Sequence, residues 1–290
     1  MAADPYFHTV SNHCVANTKA EDRSGNFGGI ALGEYSIAVD SGHSLSIGQK
    51  FKDQLENHFG LDVKYLVLTH THTDHRMGMG AFFKSQVLLS SKCYTNLPKK
   101  SKSKKINFEQ FESVKYIKSG GIEVEVFHVG GHTIGSSMVH FITEHVLFSG
   151  DILFLGGVNY NLPFLGFYSN KEPKTGNPEE CITALEKIVR INPKVLIPGH
   201  GGIITNVREE ITLQLQLYKT LKIHFLEALE DEKTLDQIAL PSFGLIAQAR
   251  ERVLTLPQSK QRIETRWLDN YLDHLKKSFY NFYSQMKMQE

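Results

Sequence analysis

Six consecutive residues, His70-Thr71-His72-Thr73-Asp74-His75, carry four side chains able to bind a metal ion. Imidazole and carboxylate together suit zinc, iron or manganese better than magnesium or calcium. The run follows an apolar stretch, Lys64 to Leu68, that reads as a buried strand. It precedes residues 76–84, where a helix can start. In an extended segment side chains alternate, so His70, His72 and Asp74 are expected on one side. His75, at the turn into the helix, then approaches from another direction. That spread suits two ions better than one.

Further donors recur at the ends of later apolar runs. His132 follows the alternating stretch Ile122 to Val129, in Gly130-Gly131-His132-Thr133. Asp151 closes Ser149-Gly150-Asp151, after His145 to Phe148. His200 stands in Pro198-Gly199-His200-Gly201, after Val195 to Ile197. Open α/β sheets place ligand sites just beyond the carboxyl ends of their strands, and the flanking glycines permit tight turns there. Five histidines and two aspartates are enough for two ions with one shared ligand. The absence of thiolate from the set argues against a purely structural zinc site. Asp40-Ser41-Gly42 is a turn signal after an apolar strand, and Asp40 could also accept a hydrogen bond from a ligating histidine.

The elements that must position these groups are legible in outline. Residues 6–18 read as a first strand, 19–26 as a polar hairpin loop, and 28–33 and 35–39 as two more strands. Residues 47–59 form a helix, with Ile47, Phe51, Leu55 and Phe59 at four-residue spacing and Gly60 to end it. A short strand covers 86–90. Residues 92–118 show no period and carry Lys99, Lys100, Lys102, Lys104 and Lys105, which reads as a solvated surface insertion in preference to an anionic-ligand contact. Residues 138–142 and 145–148 are strands, and 156–178 are loop-rich. Asn177 can cap a helix that runs to Arg190.

After His200 the character changes to three helical stretches: 206–232, 234–255 with an interruption at Pro241, and 258 to the end. Ile263, Trp267, Tyr271, Leu275 and Phe279 make a stripe expected to dock on the protein's own helices. A homodimer contact through these helices and a membrane-surface face are the alternatives, the second opposed by the lack of a strong basic bias on the opposite face. The expected organisation is a catalytic domain over residues 1–205 and a helical C-terminal extension over 206–290 packing on it.

Composition sets bounds. The 290 residues are 41% hydrophobic and 22% charged with a net charge of +1, so charge gives no global argument for a nucleic-acid or membrane partner. No apolar run is long enough to span a bilayer. Cys14, Cys93 and Cys181 are far apart, odd in number and without CxxC spacing, which gives no disulfide framework. The N-terminus lacks a basic segment followed by an apolar core. A cytoplasmic protein acting on a small molecule is the expectation.

Taken together, His70-Thr71-His72-Thr73-Asp74-His75, Gly131-His132-Thr133, Ser149-Gly150-Asp151 and Pro198-Gly199-His200, with Asp40 as the first motif, resemble the five-motif pattern of the metallo-β-lactamase-fold hydrolases. The resemblance covers roughly residues 8–204. It implies an α/β fold, an αβ/βα four-layer sandwich with the metals at one edge of two facing mixed sheets. It also implies the ligand sets: His70, His72 and His132 for one metal, Asp74, His75 and His200 for the other, and Asp151 as the bridge. Asp74 and Asp151 are then the catalytic carboxylates, beside two zinc ions, with iron or manganese as substitutes. By analogy, Tyr160, Asn161, Tyr168 and the 21–29 hairpin could line the cleft.

The reaction so implied is hydrolysis by a metal-bridging hydroxide of an acyl bond: thioester, ester, lactone or β-lactam. His72 stands where the flavodiiron branch has glutamate, and Asp151 where one class of β-lactamases has cysteine. The first disfavours the flavodiiron branch and the second points to the glyoxalase II-like and lactonase-like side, although the basic C-terminal pattern that binds glutathione is not apparent. Two further readings use the same ligands: a phosphodiesterase or nuclease acting on RNA or DNA, which is not favoured, and a mononuclear iron sulfur dioxygenase.

Overall fold

The computed structural model describes residues 6–18, 25–154, 165, 176–241 and 244–288. Much of the 19–26 hairpin loop, and Tyr160, Asn161 and Tyr168, lie outside the described residues. Among the described residues, seven strands form one sheet in chain order: β1 (Phe7–Ser11), β2 (Cys14–Asn17), β3 (Phe27–Ala31), β4 (Ser36–Val39), β5 (Val63–Val67), β6 (Gln86–Ser90) and β7 (Asn107–Phe111). Pairing is antiparallel from β1 to β4 and parallel from β4 to β7. The second sheet contains β8 (Val114–Ser119), β9 (Ile122–His128), β10 (Ser137–Phe141), β11 (Val146–Phe154) and β12 (Val195–His200), in the order β12-β11-β10-β9-β8. Only its β11–β12 pair is parallel. The helices are α1 (Leu45–Phe59), α2 (Thr73–Arg76), α3 (Ser91–Asn96), α4 (Pro178–Ile191), α5 (Val207–Glu230), α6 (Gly244–Leu254) and α7 (Gln258–Lys287).

The period of two along the strands sorts side chains between the layers. Ile37, Val39, Val67 and Leu88 of the first sheet meet Val124, Val126, Val139, Phe148 and Ile197 of the second in one apolar cluster. Their neighbours Ala38, Leu66, Leu68, Val87 and Leu89 face the other way, onto Phe51 and Leu55 of α1. Phe127, Met138, Leu147 and Leu196 face outward from the second sheet, onto α4 through Ile182, Leu185 and Ile188 and onto α5 through Tyr218, Leu221 and Phe225. Strands buried on both faces explain the continuous apolar runs of the sequence. The result is the expected αβ/βα sandwich with helices added at the C-terminal end.

Local signals set the helix limits. Ser44 Oγ accepts the Ile47 N–H at the start of α1, and Gly60 ends it with φ 65°. Asn177 Oδ1 accepts the N–H groups of Glu179 and Glu180, and Pro178 opens α4. No described helix is long and apolar enough to cross a membrane.

Several expectations need correction. Residues 6–18 form two strands, β1 and β2, because a turn at 12–13 folds the segment into a hairpin. Residues 92–118 are not simply a surface insertion. They supply β7 and nearly all of β8, one edge strand of each sheet. An edge strand buries few side chains, here Phe111 and Ile117, and tolerates lysine elsewhere, so its apolar period is faint. The strand expected to end before Asp151 runs on to Phe154, with register shifts around Gly150. The α7 stripe docks by only part of its length. Tyr271, Leu275 and Phe279 are buried, whereas Ile263 and Trp267 are 66% and 55% exposed. The apolar cluster under α7 extends no closer to its N-terminus than Leu268.

Candidate metal centre

The seven candidate ligands converge from five segments. The turn after β5 delivers His70 and His72. The helix α2 delivers Asp74 and His75. The β9–β10 loop delivers His132, β11 delivers Asp151, and the last residue of β12 is His200. They fall into two groups, His70, His72, His132 and Asp151, and Asp74, His75 and His200. Within each group the donor atoms lie within 4.8 Å of one another. The alternation argument is therefore wrong for Asp74. Helix α2 begins at Thr73, so the chain stops alternating there and rotates Asp74 toward His75 and His200.

Asp151 lies between the groups. Its Oδ2 is 3.6 Å from His70 Nε2 and 3.3 Å from His132 Nε2. Its Oδ1 is 3.1 Å from His75 Nε2 and 3.7 Å from His200 Nε2. In the first group, His72 Nδ1 is 3.1 Å from His70 Nε2 and 2.9 Å from His132 Nε2. In the second, His200 Nε2 is 3.0 Å from Asp74 Oδ2 and 3.4 Å from His75 Nε2. His72, Asp74 and His200 are half-buried and form the open side, whereas His70, His75, His132 and Asp151 are buried.

A hydrogen-bonded support fixes the rings from behind. Asp40 accepts from Thr69 N–H through Oδ1 at 2.8 Å, and from Thr69 Oγ1 through Oδ2 at 2.7 Å. His75 Nδ1 lies 2.8 Å from the same Oδ2, so it donates there and aims Nε2 into the site. Thr69 Oγ1, having given its proton to Asp40, accepts from His70 Nδ1 at 3.0 Å. One carboxylate thus sets the tautomer of two histidines, which carboxylates behind metal-bound imidazoles commonly do. Thr69 was not picked out from the sequence. Its position before the first histidine was the available signal.

The His132 loop has its own brace. Glu180 Oε2 accepts the Gly131 N–H at 2.7 Å, and the backbone N–H groups of Gly176 and Asn177 reach the carbonyls of His132 and Gly131. Glu180 too was missed, being 49 residues from its partner.

The donor set fits a cation. With His70 Nδ1 engaged by Thr69, its Nε2 carries a lone pair and faces the ring nitrogens of the first group. Among the described residues, Asp151 Oδ1 is a buried oxygen with no assigned hydrogen-bond partner. Burial acts to raise the Asp151 carboxyl, and the surrounding His75, His200, His70 and His132 outweigh it, holding it well below the usual carboxylate range. Asp74 is lowered in the same way, with burial overcome by the His200 hydrogen bond and by His75. Burial, followed by the neighbouring His75, pushes His70 well below the usual histidine range. Ionised carboxylates and a neutral imidazole gathered in two adjoining groups of donors form a site for positive charge.

Asp40→Asn tests the support. Asparagine keeps an acceptor for Thr69 N–H and tolerates the positive φ of 58° found at this residue. It turns an amide N–H₂ toward two donors, Thr69 Oγ1 and His75 Nδ1. The expected outcome is metal affinity weakened by about 10–100-fold, read by titration against a competing chelator.

Two groups of metal-capable donors on this sandwich fold match a superfamily of metal-dependent hydrolases. The sequence comparisons give the family: residues 22–200 match the model of the metallo-beta-lactamase superfamily, and the chain belongs to it. Among curated proteins it is 22% identical over 237 residues to the lactamase-like protein aptB of Emericella nidulans, covering 78% of this chain and 70% of that one. It is 28% identical over 170 residues to the hydroxyacylglutathione hydrolase GloC of Haemophilus influenzae, covering 52% of this chain and 74% of that one. For the lactamase-like protein GME11357 of Pestalotiopsis microspora, the match spans about half the relative's length. Among solved structures, a metallo-beta-lactamase from Pontibacter korlensis superposes with a TM-score of 0.60 at 19% identity, covering 73% of this chain and 98% of that one.

Proposed function

We propose that this protein is a dinuclear metallohydrolase that cleaves an acyl bond in a small molecule. The observation that carries the reading is the division of Asp151: one carboxylate oxygen faces each group of donors. His70, His72 and His132 would hold one ion, Asp74, His75 and His200 the other, and Asp151 would serve both. Zinc is the ion proposed, with iron and manganese compatible with the same donors. Such a pair, when bound, supplies a water with a pKa lowered toward about 7 and a Lewis acid for the substrate's carbonyl oxygen.

The chain's own groups do the rest. Asp40 and Thr69 keep His70 and His75 in one tautomer, so no reorganisation is needed during turnover. Asp74, ionised and half-buried at the open side, accepts a hydrogen bond from the attacking water and orients it. His72 and His200 border the same opening, where the scissile bond must enter. The relative named hydroxyacylglutathione hydrolase supports the acyl class. Three buried cysteines, all free, support a reducing, cytoplasmic setting.

The test combines metal analysis with a substrate panel of thioesters, lactones, a chromogenic cephalosporin, phosphodiesters and single-stranded RNA. About two ions per chain are expected, with acyl hydrolysis that stops on chelation and returns with zinc. Full acyl activity in chelator-stripped protein would sink the reading, as would turnover confined to phosphodiesters.

A further inference from the structure

The structure assigns a second role to the lysine-rich segment: we propose that it binds a phosphate-bearing portion of the substrate. Lys92, Lys99, Lys100, Lys102, Lys104 and Lys105 fall within residues 92–108, a stretch containing no aspartate or glutamate. The whole chain carries only +1, so the remainder of the molecule is net acidic. Among the described residues none of these lysines pairs with a carboxylate. Lys99, Lys100, Lys104 and Lys105 are exposed. Lys102 is drawn inward, with Nζ 4.5 Å from the centre of the Tyr94 ring.

Two separate anchors hold this segment against the metal site. The buried Arg76 donates from Nε to Thr71 O at 2.6 Å and from Nη1 to Ser101 Oγ at 2.9 Å. A single guanidinium therefore joins the carbonyl between His70 and His72 to the turn formed by Lys99–Ser101. At the start of α3, Ser90 Oγ donates to Gly135 O at 2.8 Å in the His132 loop and accepts the Cys93 N–H at 3.1 Å. The segment is pinned from both sides to the half of the site that carries His72 and His132. Arg76 uses its charge for this tie and has no carboxylate partner among the described residues.

The ligand chemistry follows from the side chains. Clustered ammonium groups on flexible stems act as point charges for phosphate, without the fork geometry that arginine offers to a carboxylate. The charged stretch is short and the rest of the surface is net acidic, whereas a single-stranded polynucleotide needs a basic groove that follows several nucleotides. The occupant that fits is a small acyl donor whose leaving group carries phosphates. This deepens the proposed acyl hydrolysis and rests on it.

The experiment uses the metal-loaded protein and a variant with Lys99, Lys100, Lys104 and Lys105 each changed to Gln. Free coenzyme A, a thiol carrying phosphate groups, is titrated calorimetrically at low and high salt. Acetyl-coenzyme A is compared with the acetyl thioester of N-acetylcysteamine, which lacks phosphate. Expected are binding of coenzyme A that weakens with salt and a loss of about tenfold or more in the variant. The preference in kcat/KM for the phosphorylated thioester should shrink by the same factor through KM, at unchanged melting temperature. No binding by the wild type at low salt, or equal binding by the variant, overturns the proposal. Tighter binding of a 12-nucleotide single-stranded RNA, lost in the same variant, overturns it in favour of a nucleic acid. If coenzyme A binds as described but neither thioester is cleaved, the phosphate site stands and the proposed acyl reaction falls.

Discussion

Asp151→Asn is expected to reduce hydrolysis of any acyl substrate by at least about 10³-fold, beyond the about 10–100-fold typical of outer partners of a metal site. The bound metal should fall from the two ions per chain proposed above to one or none. The substitution is nearly isosteric, so the effect is electrostatic. Asparagine removes the charge that faces His70 and His132 through one oxygen and His75 and His200 through the other. It also turns an N–H₂ group, which cannot ligate, toward one of the two groups. The measurements are kcat/KM, elemental analysis of the dialysed protein and a melting curve that separates loss of metal from loss of fold. Two ions per chain and near-normal turnover would show that Asp151 is not shared.

Gly199→Ala is expected to disable the site without removing any ligand. A Cβ at this position would lie 1.9 Å from Asp151 Oδ1 and 2.7 Å from the Gly150 carbonyl carbon. Neither neighbour can swing away. Asp151 is buried, and Gly150 is backbone held in the β11–β12 ladder. The two parallel strands would have to separate where they deliver Asp151 and His200. Overpacking of this kind costs about 1–3 kcal/mol, visible as a lower melting temperature. Activity should fall by more than the stability loss explains, because a displacement near 1 Å at a reacting centre costs about 100-fold. A stable, fully active Gly199→Ala would show that the strands relax at no expense to the site.

These two residues show what could be read from the chain and what could not. Seven donor positions stood out because each lies at or just beyond the end of an apolar run, and three of them, His132, Asp151 and His200, have glycine beside them. Asp40 was readable as a partner for histidine for the same reason: it ends a strand. The grouping of the donors was carried by family resemblance, and the alternation argument applied to residues 70–75 alone misplaced Asp74. Deciding that residue required knowing that α2 starts at Thr73, inside the motif. The edge strands β7 and β8 were obscured because pairing on one side only, with few buried residues, leaves almost no periodic signal. The long β11 was cut short because its pairing with β12 continues through a glycine that looks like a stop.

The sequence by itself determined the inventory: strands apolar enough to be buried on both faces, helices with their caps, and the donors at the strand ends. Those features depend on residue type and short-range spacing. Tertiary structure alone decided the contacts between distant segments. Asp151 meets four histidines, Glu180 braces the His132 loop, Gly199 leaves room for a carboxylate 48 positions earlier in the chain, and Arg76 ties a basic segment to the metal loop. The physical reason is common to all of them. Each is a close approach set by how two sheets pack and how their loops meet at one edge, and no local periodicity encodes it.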